Sequence, residues 1–290
     1  MTMAARLEKF KELLHTSRQL HLSSVDIAKL FASYYTSRLP APLRGLAPEF
    51  VVVKATFGSR VVHIPLRLNG IDCSVLSEVF LGGVYDVQCD DVHAIVDLGA
   101  NIGLTTLYLS IRYPSAKIAS IEPMEHNVRM LRETIVLNGV NSRVFAGAIG
   151  VSDGFAELAV SASPTVHSLV PGSVGLETVR VPTMSMPSLM TSMGWNTIDL
   201  LKIDIEGYEK TLFGSGGEWL SATKMIVGEA HAHVAYGLRD IQKDLAPYGF
   251  VVRCESENPD GGMIMFTARR DAATGRRKGQ WDRPAKEMAR

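Results

Sequence analysis

Apolar residues recur at helical spacing at the start of the chain and gather into short strand-like runs through the rest of it. Leu7, Phe10, Leu13 and Leu14 share one face of a helix, and a second stripe through Ala28, Phe31, Tyr34 and Tyr35 follows Ser23 and Ser24, whose hydroxyls can cap a first turn. The polar faces of both helices mix charge signs, which points to packing on the main domain or in a homodimer rather than on a membrane surface. Pro40-Ala41-Pro42 ends the helical region. Phe50 to Phe57 and Arg60 to Leu68 are rich in β-branched residues, and Asn69-Gly70 supplies a turn on which a strand can double back.

From Asp91 onward apolar strands alternate with helical stretches, the pattern of a parallel sheet with crossover helices. The predicted strands are His93 to Gly99, Lys117 to Pro123, Arg143 to Gly150, Ile198 to Asp204 and Lys224 to Ala230. A closing pair, Phe250 to Ser256 and Gly262 to Ala268, flanks the turn-forming Asn258-Pro259-Asp260-Gly261-Gly262 and predicts an antiparallel hairpin at one sheet edge. The expected fold is therefore α/β, a mostly parallel doubly wound sheet with a C-terminal antiparallel hairpin. N-terminal helices and a small β lead-in precede it. The corresponding division is 1–90 for the lead-in, 91–270 for the catalytic domain, and 271–290 for a basic, flexible tail.

Thirty acidic and thirty basic residues balance, so no global field draws the chain of 290 residues to nucleic acid or an anionic membrane. A small-molecule partner is the expectation. Cys73, Cys89 and Cys254 are too few and too scattered for a disulfide scaffold or a zinc site, which places the protein in the cytoplasm. The first residues lack the unbroken apolar core of a signal peptide, and no segment reaches membrane-spanning length.

The chemistry concentrates at Val96-Asp97-Leu98-Gly99-Ala100-Asn101-Ile102-Gly103, an apolar strand ending in a glycine-bearing turn that opens a helix. Gly99 and Gly103 admit backbone angles that side chains forbid, and amides at a helix start favour a carboxylate. Asp97 can answer a nearby ammonium. Carboxylate and ammonium together describe the methionine part of S-adenosylmethionine better than a pyrophosphate. A dinucleotide fingerprint would also need glycines where Asn101 and Leu104 stand. Glu122, ending the next strand, can accept hydrogen bonds from ribose hydroxyls. Met124 suits packing on an adenine or in the core, Ala148 lies where the third strand meets its loop, a position that borders an adenine ring in this architecture, and Asp153 reads most simply as a turn residue.

Val96 to Gly103, Ser120-Ile121-Glu122-Pro123 and Asp199 to Gly207, together with the lead-in Glu78 to Tyr85, resemble the FkbM family of methyltransferases. The resemblance runs from the Asn69-Gly70 turn to the final hairpin. It implies a Rossmann-like methyltransferase sheet, S-adenosylmethionine as donor with Tyr85 and Asp204 added to its site, and O-methylation, often of sugar hydroxyls on natural products or glycans. Carboxylates are also accepted in so broad a family.

Asp204 and Glu206 sit where the fourth strand runs into its loop, beside the crevice at which an open parallel sheet reverses direction. Methyl transfer from a sulfonium needs an aligned acceptor oxygen and a route for its proton. Asp204 is suited to orienting the donor's ammonium or taking that proton, a reading preferred over a plain ion pair with Lys202. Strand alternation places Glu206 on the same face. Glu229, His231 and His233 also share one side of the fifth strand, where His231 is suited to act as general base and equally to a structural role. Asp204 with Glu229 could hold a divalent metal such as Mg²⁺ on a diol. The rival readings are a carboxyl methyltransferase of the same fold, a nicotinamide-dependent oxidoreductase and a non-catalytic adenosyl-binding protein. Nucleic-acid methylation ranks lower, because the loop after Asp204 lacks a Pro-Pro-aromatic sequence.

Overall fold

The computed structural model describes residues 3–160, 167–168, 177–231, 235–258 and 262–270. Within it the chain divides into two compact units, one of residues 1–84, 100–114 and 125–142, the other of residues 85–99, 115–124 and 143–290.

In the first unit the N-terminal stripes form α1 (Met3–Gln19) and α2 (Ser24–Tyr35), and the Ser23 hydroxyl accepts from the Asp26 amide as an N-cap. The buried faces differ in part from the apolar stripes. Leu13 is enclosed, but Leu7 and Phe10 remain largely exposed, and Ala28 points outward. On α2 the buried row is Asp26, Leu30, Ser33 and Tyr34. Asp26 joins that row because its carboxylate is fully used, accepting from Ser23 Oγ, Lys29 Nζ and the Lys54 amide.

Pro40 leads into a short helix, α3 (Ala41–Arg44), rather than ending the helical region, since a helix tolerates proline in its first turn. Strands β1 (Phe50–Phe57) and β2 (Arg60–Arg67) pair antiparallel through the Gly58-Ser59 turn. Asn69-Gly70 therefore does not make the hairpin. Asn69 Oδ1 instead accepts from the Ile71 and Asp72 amides and starts α4 (Asp72–Phe80).

Asp72 is almost fully buried and receives Arg67 through Nε at 2.9 Å and Nη2 at 2.8 Å, while Arg67 Nη1 reaches Asn127 Oδ1. Removing one partner strands a buried charge, so Asp72→Ala is expected to cost about 3–5 kcal/mol in urea unfolding. A loss below about 1 kcal/mol, the range of an exposed pair, would contradict this account. The unit is completed by α5 (Leu104–Arg112) and α6 (Glu125–Asn138). A Cβ on Gly103, the N-cap of α5, would lie 2.7 Å from Leu131 on α6, so packing alone demands glycine there.

The second unit carries β3 (Ala94–Leu98), β4 (Lys117–Glu122) and β5 (Ser142–Ala146), followed by β6 (Ala148–Gly150), β7 (Gly154–Val160), β8 (His167–Ser168) and β9 (Glu177–Ser185). After α7 (Met186–Met193) come β10 (Ile198–Ile203), α8 (Glu209–Ser215), α9 (Glu218–Ser221), β11 (Thr223–His231), α10 (Leu238–Leu245), β12 (Phe250–Asn258) and β13 (Met263–Arg270). Seven strands form one mixed sheet in the order β12-β13-β11-β10-β3-β4-β5. Strands β4, β3, β10 and β11 run parallel, and β13 is antiparallel to both β11 and β12.

The closing hairpin is thus present at the sheet edge, although 259–261 of its turn and the tail at 271–290 lie outside the described residues. From β3 the chain winds outward to β5, then returns to place β10 on the other side of β3, so the winding reverses between β3 and β10. Strands β3 and β10 are wholly buried, and burial on both faces is why their sequences are apolar apart from Asp97, Asp199 and Lys202.

One predicted strand divides. Arg143 to Gly150 breaks at Gly147, where a Cβ would lie 2.7 Å from the Pro182 carbonyl. Beyond it β6 leaves to pair with β9 in a separate sheet of order β6-β9-β7-β8. Among the described residues no helix is long and apolar enough to cross a membrane.

Candidate active site

The winding reversal between β3 and β10 is the place where an open α/β sheet leaves a crevice at its strand ends. Asp97, next to last in β3, is fully buried and stands in register with Lys202 of β10. Lys202 is buried too. Its Nζ lies 3.2 Å from Asp97 Oδ1 and donates to the carbonyls of Gly99 at 2.8 Å and Leu98 at 3.1 Å. Burial works against the ammonium, but Asp97, Asp204 and Glu229 outweigh it and hold the lysine pKa above its ordinary value. The expected ion pair of Lys202 with Asp204 is the looser of the two, at 4.0 Å, because the strand register brings Asp97 closer.

Gly99 has φ +74°, and a Cβ there would overlap the carbonyl oxygen of Asp204. Its amide donates to the Ile121 carbonyl, which brings the turn beside the end of β4, where Glu122 stands. Glu122 is buried, with Oε1 accepting from the Met124 amide at 3.0 Å. Met124 packs against a small cluster containing Ala148. Asn101 and Gly103 lie in the first unit, both with left-handed backbone, at φ +49° and +88°. The Asp153 carboxylate is used at the start of α7, where it accepts from the Ser185 amide and the Ser188 hydroxyl.

A second group gathers at the ends of β10 and β11. Strand β10 stops at Ile203, so Asp204 and Glu206 project from the loop rather than from an alternating strand. The left-handed Glu206, at φ +53°, turns that loop. His231 Nε2 lies 3.3 Å from Glu206 Oε2 and 3.9 Å from Asp204 Oδ1, and its Nδ1 lies 3.4 Å from Glu209 Oε1. Glu229, two residues back on the same side of β11, accepts from the Tyr85 hydroxyl at 2.8 Å. The same hydroxyl lies 3.5 Å from Asp204 Oδ2. His233 lies outside the described residues.

Burial and the neighbouring carboxylates dominate the titration of this group. Burial, with Asp204 beside it, raises Glu229 and pushes Glu206 up to about 7. Burial alone would lower His231, but Glu209, Asp204 and Glu206 bring it up to about 9. Tyr85 is held well above its usual value by burial and by Asp204 and Glu229. At neutral pH His231 is therefore an imidazolium among carboxylates, and Tyr85 is a neutral hydroxyl.

Lys202 and Glu209 are the participants whose importance the sequence conceals. A lysine inside a strand that is apolar apart from Asp199 is the available signal for the first. Glu209 reads as an ordinary acid in the first turn of α8, although it is fully buried and accepts from the Ile205 amide.

Comparison with known proteins places these features in context. The Methyltransferase FkbM domain matches residues 97–250, which include both groups at the strand ends. Methyltransferase sdnD of Sordaria araneosa is 29% identical over 233 residues, covering 68% of this chain and 89% of that protein. Methyltransferase 1 of Beauveria bassiana is 26% identical, covering 67% and 88%. The crystal structure of Methyltransferase FkbM from Methylobacillus flagellatus KT superposes with a TM-score of 0.48 at 15% identity, over 91% of this chain and 60% of that one. With more than half of its length matched, the chain belongs to the FkbM family and is an S-adenosylmethionine-dependent methyltransferase.

Proposed function

We propose that this methyltransferase acts on an oxygen, the hydroxyl of a small molecule, with its donor at the Gly99 turn and its acceptor at Asp204, Glu206 and His231. The observation that carries the reading is the abutment of Gly99 on the Asp204 carbonyl, which puts the donor turn and the partly exposed acidic group side by side. The donor-site residues suit S-adenosylmethionine. Asp97 and Asp204 put negative charge beside the Gly99 turn for its ammonium, and Glu122 stands on the neighbouring strand end for ribose hydroxyls. Met124 and Ala148 offer an apolar surface for the adenine, and Tyr85 closes the Lys202 side, its ring 5.3 Å from Nζ.

When bound there, S-adenosylmethionine would supply an electrophilic methyl group on its sulfonium sulfur, with the C–S electron pair left on sulfur. The protein's part is alignment and the removal of the hydroxyl proton. Asp204 is the most open carboxylate of the group, and we assign it the proton. His231 was the expected base, but its imidazole already holds a proton at neutral pH, so orientation of the flanking carboxylates suits it better. A neutral balance of charges and the absence of a Pro-Pro-aromatic loop favour a small molecule over a nucleic acid.

Calorimetric titration with S-adenosylhomocysteine tests the donor half without the acceptor: one saturable site is expected, weakened at least about tenfold in Glu122→Ala, which removes a buried acceptor of hydrogen bonds. Unchanged affinity would remove Glu122 from the site. Labelled methyl transfer to a panel of hydroxylated compounds, with the product identified by NMR, tests the acceptor half. Asp204→Asn should lower turnover by about 10²–10⁴-fold. A methyl on nitrogen or carbon would refute the oxygen acceptor.

A further inference from the structure

Asp204, Glu206 and His231 each offer one donor atom, and these three atoms all lie within 4.8 Å of one another. Around a six-coordinate cation with bonds of about 2.1 Å, neighbouring ligand atoms sit about 3.0 Å apart and opposite ones about 4.2 Å. His231 Nε2 is 3.3 Å from Glu206 Oε2 and 3.9 Å from Asp204 Oδ1, spacings that a small adjustment brings into that shell. All three side chains are partly exposed, so a cation and a substrate oxygen can reach them.

The surroundings of His231 point the same way. Its far nitrogen, Nδ1, faces Glu209 Oε1 at 3.4 Å, the carboxylate-histidine arrangement that fixes a metal-binding ring with Nε2 toward the ion. Glu209 is itself fully buried, and its Oε2 has no hydrogen-bond partner among the described residues. A carboxylate taken out of water with an oxygen unmatched calls for positive charge close by. His231 supplies that charge as an imidazolium while the site is empty, and a cation on Nε2 would supply it once the Nε2 proton has left to solvent; Lys202 is committed to Asp97 and the carbonyls of Leu98 and Gly99.

We propose that Asp204, Glu206 and His231 form a divalent cation site that presents its open positions to the oxygens of the methyl acceptor, with Asp204 ligating through Oδ1 and keeping Oδ2 for the acceptor's proton. The inference rests on the methyltransferase reading of the same crevice. One imidazole with two carboxylates suits Mn²⁺ or a similar transition ion better than Mg²⁺, which prefers an all-oxygen shell. The pair first expected, Asp204 with Glu229, gives way to this trio because Glu229 is engaged by the Tyr85 hydroxyl and lies outside the group.

The test is a titration of the full chain, saturated with S-adenosylhomocysteine, with Mn²⁺ followed by electron paramagnetic resonance. One bound equivalent is expected, with affinity reduced at least tenfold in Glu206→Gln and in His231→Gln, both checked for folding by circular dichroism. His93→Gln, which breaks the exposed pair of His93 with Asp91, should bind Mn²⁺ like the unaltered protein. Mn²⁺ that stays free while S-adenosylhomocysteine binds would overturn the cation site and leave the methyltransferase reading intact. Binding that survives both site variants, or is lost in His93→Gln, would also overturn it. Failure of a folded protein to bind either ligand would overturn both.

Discussion

Replacing Lys202 with methionine is expected to destabilise the protein by about 3–5 kcal/mol and to abolish measurable binding of S-adenosylhomocysteine. The ammonium is the ion-pair partner of a fully buried Asp97 and donates to the Gly99 carbonyl, so its loss removes the countercharge of one and the donor of the other, while the Leu98 carbonyl keeps the Asp204 amide. Urea unfolding of the variant beside the unaltered protein reads the first effect and calorimetry the second. The dependence on pH has a definite sign. Because the folded protein raises the lysine pKa above 10.5, the stabilisation is fully present below that value and fades as pH rises through the folded pKa. The two proteins should therefore converge only in strongly alkaline solution. A difference under about 1 kcal/mol at neutral pH would show that water or a rearranged Asp97 replaces the lysine.

Gly99→Ala is expected to be nearly as damaging, for a reason that can be separated from backbone strain. The residue has φ +74°, which alone costs an L-amino acid about 1–2 kcal/mol, and its new Cβ would also overlap the Asp204 carbonyl. That oxygen belongs to the backbone and cannot swing aside as a side-chain tip does. Gly139→Ala is the matched comparison, with φ +60° and nothing within 4 Å of the added atom. It should lose only the strain energy, whereas Gly99→Ala should lose about 3 kcal/mol or more together with at least a hundredfold in donor affinity. Equal melting temperatures for the two variants would mean that the Asp204 loop yields freely, and the close abutment of donor turn and acidic group would lose its force.

The central sheet was legible because strands buried on both faces cannot hide their apolar runs, and β3, β4, β10 and β11 lie where those runs predict them. The sheet of β6 to β9 was not legible. Its strands alternate or are short, and the break that creates it at Gly147 is enforced by the Pro182 carbonyl, a neighbour remote in sequence. The Asn69-Gly70 turn misled for a similar reason, since an asparagine side chain can close a hairpin or cap a helix, and Asp72 beyond it decides for the helix. At the site, acids at strand ends announce themselves by position, and Asp97, Glu122 and Asp204 are where the pattern put them. Partnerships do not announce themselves. Which carboxylate Lys202 chooses depends on strand register, and the charge on His231 depends on Glu209, whose sequence context is that of any helix-opening acid.

The neighbours β3 and β10 are joined by hydrogen bonds between residues about a hundred positions apart, the span from Leu98 to Lys202 being 104. During synthesis, then, the turn at Gly99 emerges long before the lysine that steadies it, and a nascent chain ending short of Ile198 carries every donor-turn residue and its contacts with β4 but neither Lys202 nor the Asp204 loop. Closing so long a loop is slow and comes late. The crevice should consequently appear in the final stage of folding, which makes acquisition of cofactor affinity a sensitive clock for completion of the sheet.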